Sequence, residues 1–123
     1  VTAALAATVI ACGGVAALVR YLVAAWFSSA DGFPWAVLTV NVIGSAFAGA
    51  VLAIGAGLDD DARLILLSGV AGGLTTFSTF SVETVQLVMD GRARIAALNV
   101  GLNLGAGLAV TAMAYGVTTW AVG

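Results

Sequence analysis

Apolar residues run through this chain in four long blocks, and its charged residues gather in three short clusters between them. The clusters are Asp31, then Asp59, Asp60, Asp61 and Arg63, then Asp90, Arg92 and Arg94, with Arg20 and Glu83 as isolated exceptions. The uncharged stretches at 1–19, 32–58, 64–82 and 95–123 each approach or exceed the roughly 20 residues that cross a hydrocarbon core. The pattern predicts an all-α membrane protein, a single four-span domain over 1–123 with transmembrane helices at about 3–27, 35–57, 62–89 and 94–121. Turn signals in "FSSADGFPW", which holds the only proline, Pro34, separate the first two spans. Asp59 to Asp61 fit the start of the third, where they complement its positive dipole end.

Composition strengthens that picture. Of 123 residues, 62% are hydrophobic and 8% charged, more apolar surface than a soluble core of this length can hide. The first block has no basic leader and continues past Arg20 through "YLVAAWF", so it reads as a retained span and not a cleaved signal. Arg92 and Arg94, with Arg20 near the same end, face only Arg63 across the membrane. That bias is too small to fix one orientation, and insertion both ways is open. Histidine and lysine are absent, so the ligand patterns of zinc enzymes are missing. The lone Cys12, beside Gly13 and Gly14 in mid-span, reads as a small packing residue. The localisation expected is multi-pass, in a cell membrane of the bacterial inner-membrane type, with lipid as the medium and no nucleic-acid partner.

Small residues mark where helices meet. Asn41, Gly44, Ser45, Ala48 and Gly49 share one face of the second span, where backbones can approach and an amide can bond across helices. The fourth span carries two such stripes, Gly101, Gly105, Ala109 and Ala112 on one and Asn99, Asn103, Gly107 and Thr111 on the other. Four short helices cannot cover all of these faces within one copy, which points to an oligomer, most simply a two-fold dimer.

The unusual chemistry lies in "GGLTTFSTFS", residues 72–81, inside the third span. Two glycines and a run of hydroxyls predict a broken helix, and a break in lipid leaves backbone groups that cost several kcal/mol each if unsatisfied. The half-helix ending at "GVAGG" offers carbonyls, its negative end, to a small cation. The half-helix beginning near "TTFSTF" offers N–H groups and Ser/Thr caps, its positive end, to an anion. The plain alternative is that Thr75, Thr76, Ser78 and Thr79 merely re-bond a kink. Phe77 and Phe80, three apart, share a helical face, and their positive ring edges can line an anion path or simply pack. Glu83 follows at the same interval, facing a path or reaching toward the interface. Arg20 either draws anions to a vestibule or bonds span-end carbonyls and headgroups. Asn41 either donates its amide to an anion or joins helices.

"GGVAALVRYLV" (13–23), "NVIGSAFAG" (41–49), "GGLTTFSTFSVET" (72–84) and "NVGLNLGAGLA" (99–109) together resemble the signatures of the Fluc (CrcB) fluoride channels, in order and spacing across essentially the whole chain. The block at 72–84 carries most of that specificity. The resemblance implies an antiparallel, dual-topology dimer with two fluoride pores and a structural sodium ion at the centre of its interface. By motif position it implies Phe77 and Phe80 as pore lining, Ser78, Thr79 and Asn41 as hydrogen-bond donors, Arg20 as the vestibule arginine and Glu83 as the glutamate at the pore end. Gly72 and Thr75 match the residues whose main-chain carbonyls hold the sodium, and Thr111 and Asn103 extend a polar track on the fourth span. The partner is a second copy, an antiparallel homodimer, or else a homologous subunit, since some relatives pair unlike chains. The activity implied is passive fluoride export that lowers its toxicity, with no enzyme chemistry and no ATP motif. A four-helix drug/proton antiporter would need a carboxylate deep in the first span, which has none. A non-conducting assembly subunit would leave the hydroxyl-rich break without a purpose.

Overall fold

The computed structural model describes residues 1–27 and 31–123, so Ser28 and Ser29 of the predicted first turn lie outside the described residues. Helix α1 spans Ala3–Trp26 and begins where the Thr2 hydroxyl accepts the Leu5 amide at 3.1 Å, a cap that satisfies one of the four open N–H groups at a helix start. Helix α2 spans Trp35–Ile54 directly after Pro34, and a 3₁₀ turn at Gly55–Gly57 closes it. The third crossing is composite. It comprises α3 (Asp60–Leu64), a π-helical stretch at Ile65–Ala71, α4 (Gly72–Leu74), an extended step at Thr75 and Thr76, and α5 (Phe77–Met89). Helix α6, Ala93–Val122, makes the fourth crossing.

The helix starts and stops follow from local chemistry. The Asp59 carboxylate accepts the Ala62 amide at 2.7 Å, and Asp60 and Asp61 occupy the first turn of α3, where negative charge opposes the dipole. Helix α5 stops at Gly91, whose φ of 76° a side chain would resist. There the Gly91 amide bonds the Val88 carbonyl and the Arg92 amide bonds the Leu87 carbonyl, the paired bonds that satisfy a helix C-terminus. Arg92 then reaches across to donate to the Asp31 carbonyl at 2.8 Å, which ties the first and third turns together on one side of the bundle.

The apolar bulk faces outward. In α1 only 6% of the most apolar window is buried, and in the third and fourth crossings 17%, the reverse of a water-soluble bundle and the arrangement that lipid or a partner requires. Trp26 and Trp120, both 85% exposed near helix ends, suit the interfacial belt. The chain is a multi-pass membrane protein whose four apolar crossings include one bent helix.

Close packing inside depends on absent side chains. A Cβ at Gly49 would strike the Thr111 backbone, one at Gly44 would strike the Thr75 side chain, and one at Gly73 would enter the Gly13 backbone. The stripe predicted on α2 therefore does bring α6 and the break against it. Of the two stripes on α6, that of Asn99, Asn103, Gly107 and Thr111 turns inward. A Cβ at Gly101 or Gly105, on the other stripe, would meet open space, and Ala109 and Ala112 are exposed.

Candidate functional site: the break in the third crossing

The break is made by Asn41. In an unbroken helix the Thr76 amide would close onto the Gly72 carbonyl, but here it donates at 2.9 Å to Asn41 Oδ1. Asn41 Nδ2 donates in return to the Thr76 carbonyl at 3.3 Å. One side chain from α2 thus meets both the amide and the carbonyl of Thr76 and stands in for the helix at the point where the helix fails. Thr76 is 6% exposed, so its amide, released from the helix, depends on this bond, while its carbonyl stands at the cap of α5, where the first intrahelical bond is accepted as well. The other hydrogen of Asn41 Nδ2 goes to Asn103 Oδ1 at 2.9 Å, so both of its amide hydrogens are engaged within the chain.

On the carbonyl side of the break, the Thr75 amide and hydroxyl both return to the Ala71 carbonyl, at 3.1 and 2.9 Å. The Gly72 carbonyl has lost its helical partner to Asn41. The Thr75 carbonyl receives Arg20 Nη1 at 2.9 Å. Of the two roles open to Arg20, this bond is to a carbonyl of the break, while the side chain also lines a cavity.

On the N–H side, Thr76 caps α5. Its hydroxyl accepts the Thr79 amide at 3.1 Å and donates its hydrogen to Thr79 Oγ1 at 3.0 Å. Thr79 therefore keeps its own hydroxyl hydrogen for a further acceptor. Ser78 Oγ lies 3.4 Å from the same Thr76 oxygen and is exposed. The rings of Phe77 and Phe80 sit 5.9 Å apart and tilted by 48°, within the separation at which aromatic rings interact. Phe77 is 80% exposed, so its own chain leaves one side of the ring pair open.

Three cavities run along this region. One of about 430 Å³ is lined by Arg20, Tyr21, Trp35, Thr76, Thr79 and Glu83 among others. One of about 280 Å³ has Asn41, Ser45, Thr75, Thr76, Phe77, Phe80 and Asn103 on its walls. A third, of about 260 Å³, reaches from Glu83 through Gln86 to Asp90 and Arg92 at the turn. Thr76 borders the first two, and Glu83 the first and third. The residues expected to matter fall into this series, apart from three. Ser78, Gly72 and Thr111 line none of the three. Thr111 instead gives its hydroxyl to the Ser45 and Gly107 carbonyls at 3.1 and 2.8 Å, which fastens α6 to α2. Arg20 and Glu83 share a cavity without forming an ion pair among the described residues.

Sequence reasoning passed over Thr84, and it named Thr76 only as a possible cap. Thr84 Oγ1 donates to the Phe80 carbonyl at 2.7 Å and accepts Asn99 Nδ2 at 3.0 Å. A threonine eight residues after the start of the break carries no mark in the sequence. Asn99 and Asn103 at i, i+4 on one face were the available signal that a polar layer crosses this bundle.

Four apolar crossings, with a clasped break and with hydroxyls and rings along neighbouring cavities, define the class as a multi-pass membrane protein built around a polar site within one of its crossings. Residues 7–117 match the family described as CrcB-like protein, Camphor Resistance (CrcB), and the chain belongs to that family. Over 112 residues it is 38% identical to the fluoride-specific ion channel FluC of Pectobacterium atrosepticum, with 88% of each chain covered. It is 39% identical over 100 residues to that of Variovorax paradoxus, covering 79% of this chain and 80% of the relative. With the FluC of Geobacter metallireducens it shares 42% identity over 93 residues, 72% of this chain and 75% of the relative.

Proposed function

We propose that the protein is a passive, fluoride-selective channel that lets cytosolic fluoride leave down its electrochemical gradient, and that it is not an enzyme. The observation that carries this reading is the clasped break at Thr75–Thr76, in a chain whose relatives along most of its length are fluoride-specific channels. Hydrogen fluoride crosses bilayers and dissociates inside, so a path for the trapped anion lowers its level without an energy source. Arg20 draws anions into the larger cavity, the free hydroxyl hydrogen of Thr79 and, once turned away from Thr76, that of Ser78 replace lost hydration, and the edges of Phe77 and Phe80 carry the ion onward. Glu83 stands at the end of that path. Asn41 acts by holding the Thr76 peptide open, since both of its hydrogens are already given. Thr111 supports the path by keeping α6 on α2.

The working unit in this reading is an antiparallel dimer of two identical chains, with two pores and a sodium ion held between the copies. Phe77 with one open side, and the uncovered Gly101 and Gly105 face, are surfaces that a second copy would complete. For the sodium, Gly72 suits the role: its carbonyl lacks a helical partner and the residue is exposed on the outside of the chain. Thr75 suits it less, because a guanidinium already occupies one lone pair of its carbonyl and opposes a neighbouring cation. Sodium, when bound, would supply positive charge shared by carbonyls of both copies. Exchanging sodium for a much larger monovalent cation is expected to weaken the dimer, read as a shift toward monomer by size-exclusion chromatography. An unchanged dimer would remove the ion from this account.

A bacterial strain that lacks its own fluoride export tests the function in cells. Expression of the chain is expected to restore growth in millimolar fluoride, and a strain that stays as sensitive as its parent would contradict the reading.

A further inference from the structure

Five hydrogen bonds leave the break and return to the same half-helix. The Thr76 amide donates to Asn41 Oδ1 at 2.9 Å, and Asn41 Nδ2 donates to Asn103 Oδ1 at 2.9 Å. Asn103 Nδ2 donates to Asn99 Oδ1 at 2.9 Å, and Asn99 Nδ2 donates to Thr84 Oγ1 at 3.0 Å. Thr84 Oγ1 then donates to the Phe80 carbonyl at 2.7 Å. Each of the four side chains between the two ends accepts through oxygen and passes a hydrogen onward, so the bonds run head to tail and polarise one another in the same sense. The path starts one residue before Phe77 and ends on Phe80. It passes through α2 and α6 on the way.

We infer that this closed chain is a clamp that fixes the Phe77–Phe80 turn of α5, and that Asn99 and Thr84 are positioning residues for the ring pair. Neither lines any of the three cavities that follow the break, so neither meets a permeating ion directly. Asn99 is 0% exposed, and with Val40 it is one of the two large side chains wholly enclosed among the described residues. A buried amide of that kind is costly unless every group is paired. Here its oxygen and its nitrogen are both spent on the chain of bonds, and its backbone carbonyl accepts Asn103 Nδ2 as well at 2.9 Å. The Asn103 amide is thereby held in one orientation, with its oxygen toward Asn41. Asn41 is in turn fixed with Oδ1 toward the Thr76 amide and Nδ2 toward the Thr76 carbonyl, the only orientation in which it can meet both backbone groups of that residue. At the far end, Thr84 sets the carbonyl of the residue that bears the second ring. A side chain buried on the fourth crossing therefore controls the geometry on both sides of the two phenylalanines.

This inference deepens the channel reading and rests on it for its flux measurement alone. The test uses Thr84, which is only half-buried and whose replacements keep the helix. Thr84→Val keeps the shape and removes the hydroxyl, while Thr84→Ser keeps the hydroxyl. Thr84→Val is expected to lower fluoride efflux from liposomes by about tenfold, the factor that the net worth of one hydrogen bond gives. Thr84→Ser is expected to retain flux within about twofold of the unchanged chain, and Asn99→Ala added to Thr84→Val is expected to cost little more than the worse single change, because both act through one chain of bonds. Amide hydrogen exchange over residues 76–80 is expected to quicken in Thr84→Val and not in Thr84→Ser, a readout that needs no ion flow. Valine and serine variants alike in both flux and exchange would overturn the clamp, as would fully additive losses in the double variant. An unchanged chain without fluoride flux would contradict the channel reading instead, and the exchange comparison would then decide the clamp alone.

Discussion

Asn41→Ala is expected to reduce fluoride efflux by about a hundredfold or more while the four crossings remain inserted. The physical reason is local. Alanine leaves the Thr76 amide without the partner that now meets it at 2.9 Å, and takes from the Thr76 carbonyl the donor at 3.3 Å that it has besides the first turn of α5, at a site only 6% exposed. Each unsatisfied buried group costs about 1–3 kcal/mol. The least costly escape is for the Thr76 amide to turn back to the Gly72 carbonyl, which restores an ordinary helix and erases the break. The cap on α5 then goes with it, because the Thr76 hydroxyl can no longer face the Thr79 amide from an extended residue. Efflux from liposomes, with circular dichroism to show the helices intact, reads this directly. Flux near that of the unchanged chain from a well-folded Asn41→Ala protein would mean that the break holds itself open.

Phe80 is expected to show the second-largest effect, and two replacements separate its two possible contributions. Its ring lies 5.9 Å from that of Phe77 and at 48° to it, on the wall of the cavity that also holds Asn41, Thr75 and Thr76. If the positive ring edge carries the anion, Phe80→Ile and Phe80→Ala should both lose about tenfold or more in flux, since neither has an edge to offer. If bulk alone shapes the path, isoleucine should conduct like phenylalanine and only alanine should fail. The account predicts the first outcome. Phe80→Ile at full flux would move the ring pair from ion contact to packing.

How much of this the sequence disclosed depends on the range of the interaction. The long apolar blocks and the charged turns between them are local signals, and four apolar helices follow from them. So does the bend, because "GGLTTFSTF" combines residues that no ordinary lipid-facing helix gathers. The π-helical stretch at Ile65–Ala71 was not legible: "ILLSGVA" has the composition of a regular helix. Its wider turns accompany close packing on α1, where a Cβ at Gly69 would come within 3.2 Å of the Val9 carbonyl and 3.3 Å of Cys12. Asn41 was recognised as an amide of consequence. That it holds both backbone groups of one residue 35 positions away is a long-range fact with no periodicity to announce it. Arg20 was open between vestibule and carbonyl, and it bonds a carbonyl at the break, not at the end of a span. Asn99 stood in a stripe with Asn103, yet its bond to Thr84 crosses the turn between α5 and α6, and spacing within either helix says nothing about it.

These observations form one physical account. The glycines let α1, α2 and α6 approach the third crossing; Asn41 uses that closeness to take a peptide out of the helix; and the displaced backbone leaves carbonyls on one side and a capped, hydroxyl-rich helix start on the other. The cavities beside the break, bordered by Thr76, follow from that displacement. The most direct test is fluoride efflux from liposomes containing the purified protein, followed with a fluoride electrode beside a matched chloride measurement. The account predicts rapid loss of fluoride with chloride retained, and either no fluoride efflux from a well-folded protein or equal efflux of both anions would contradict it.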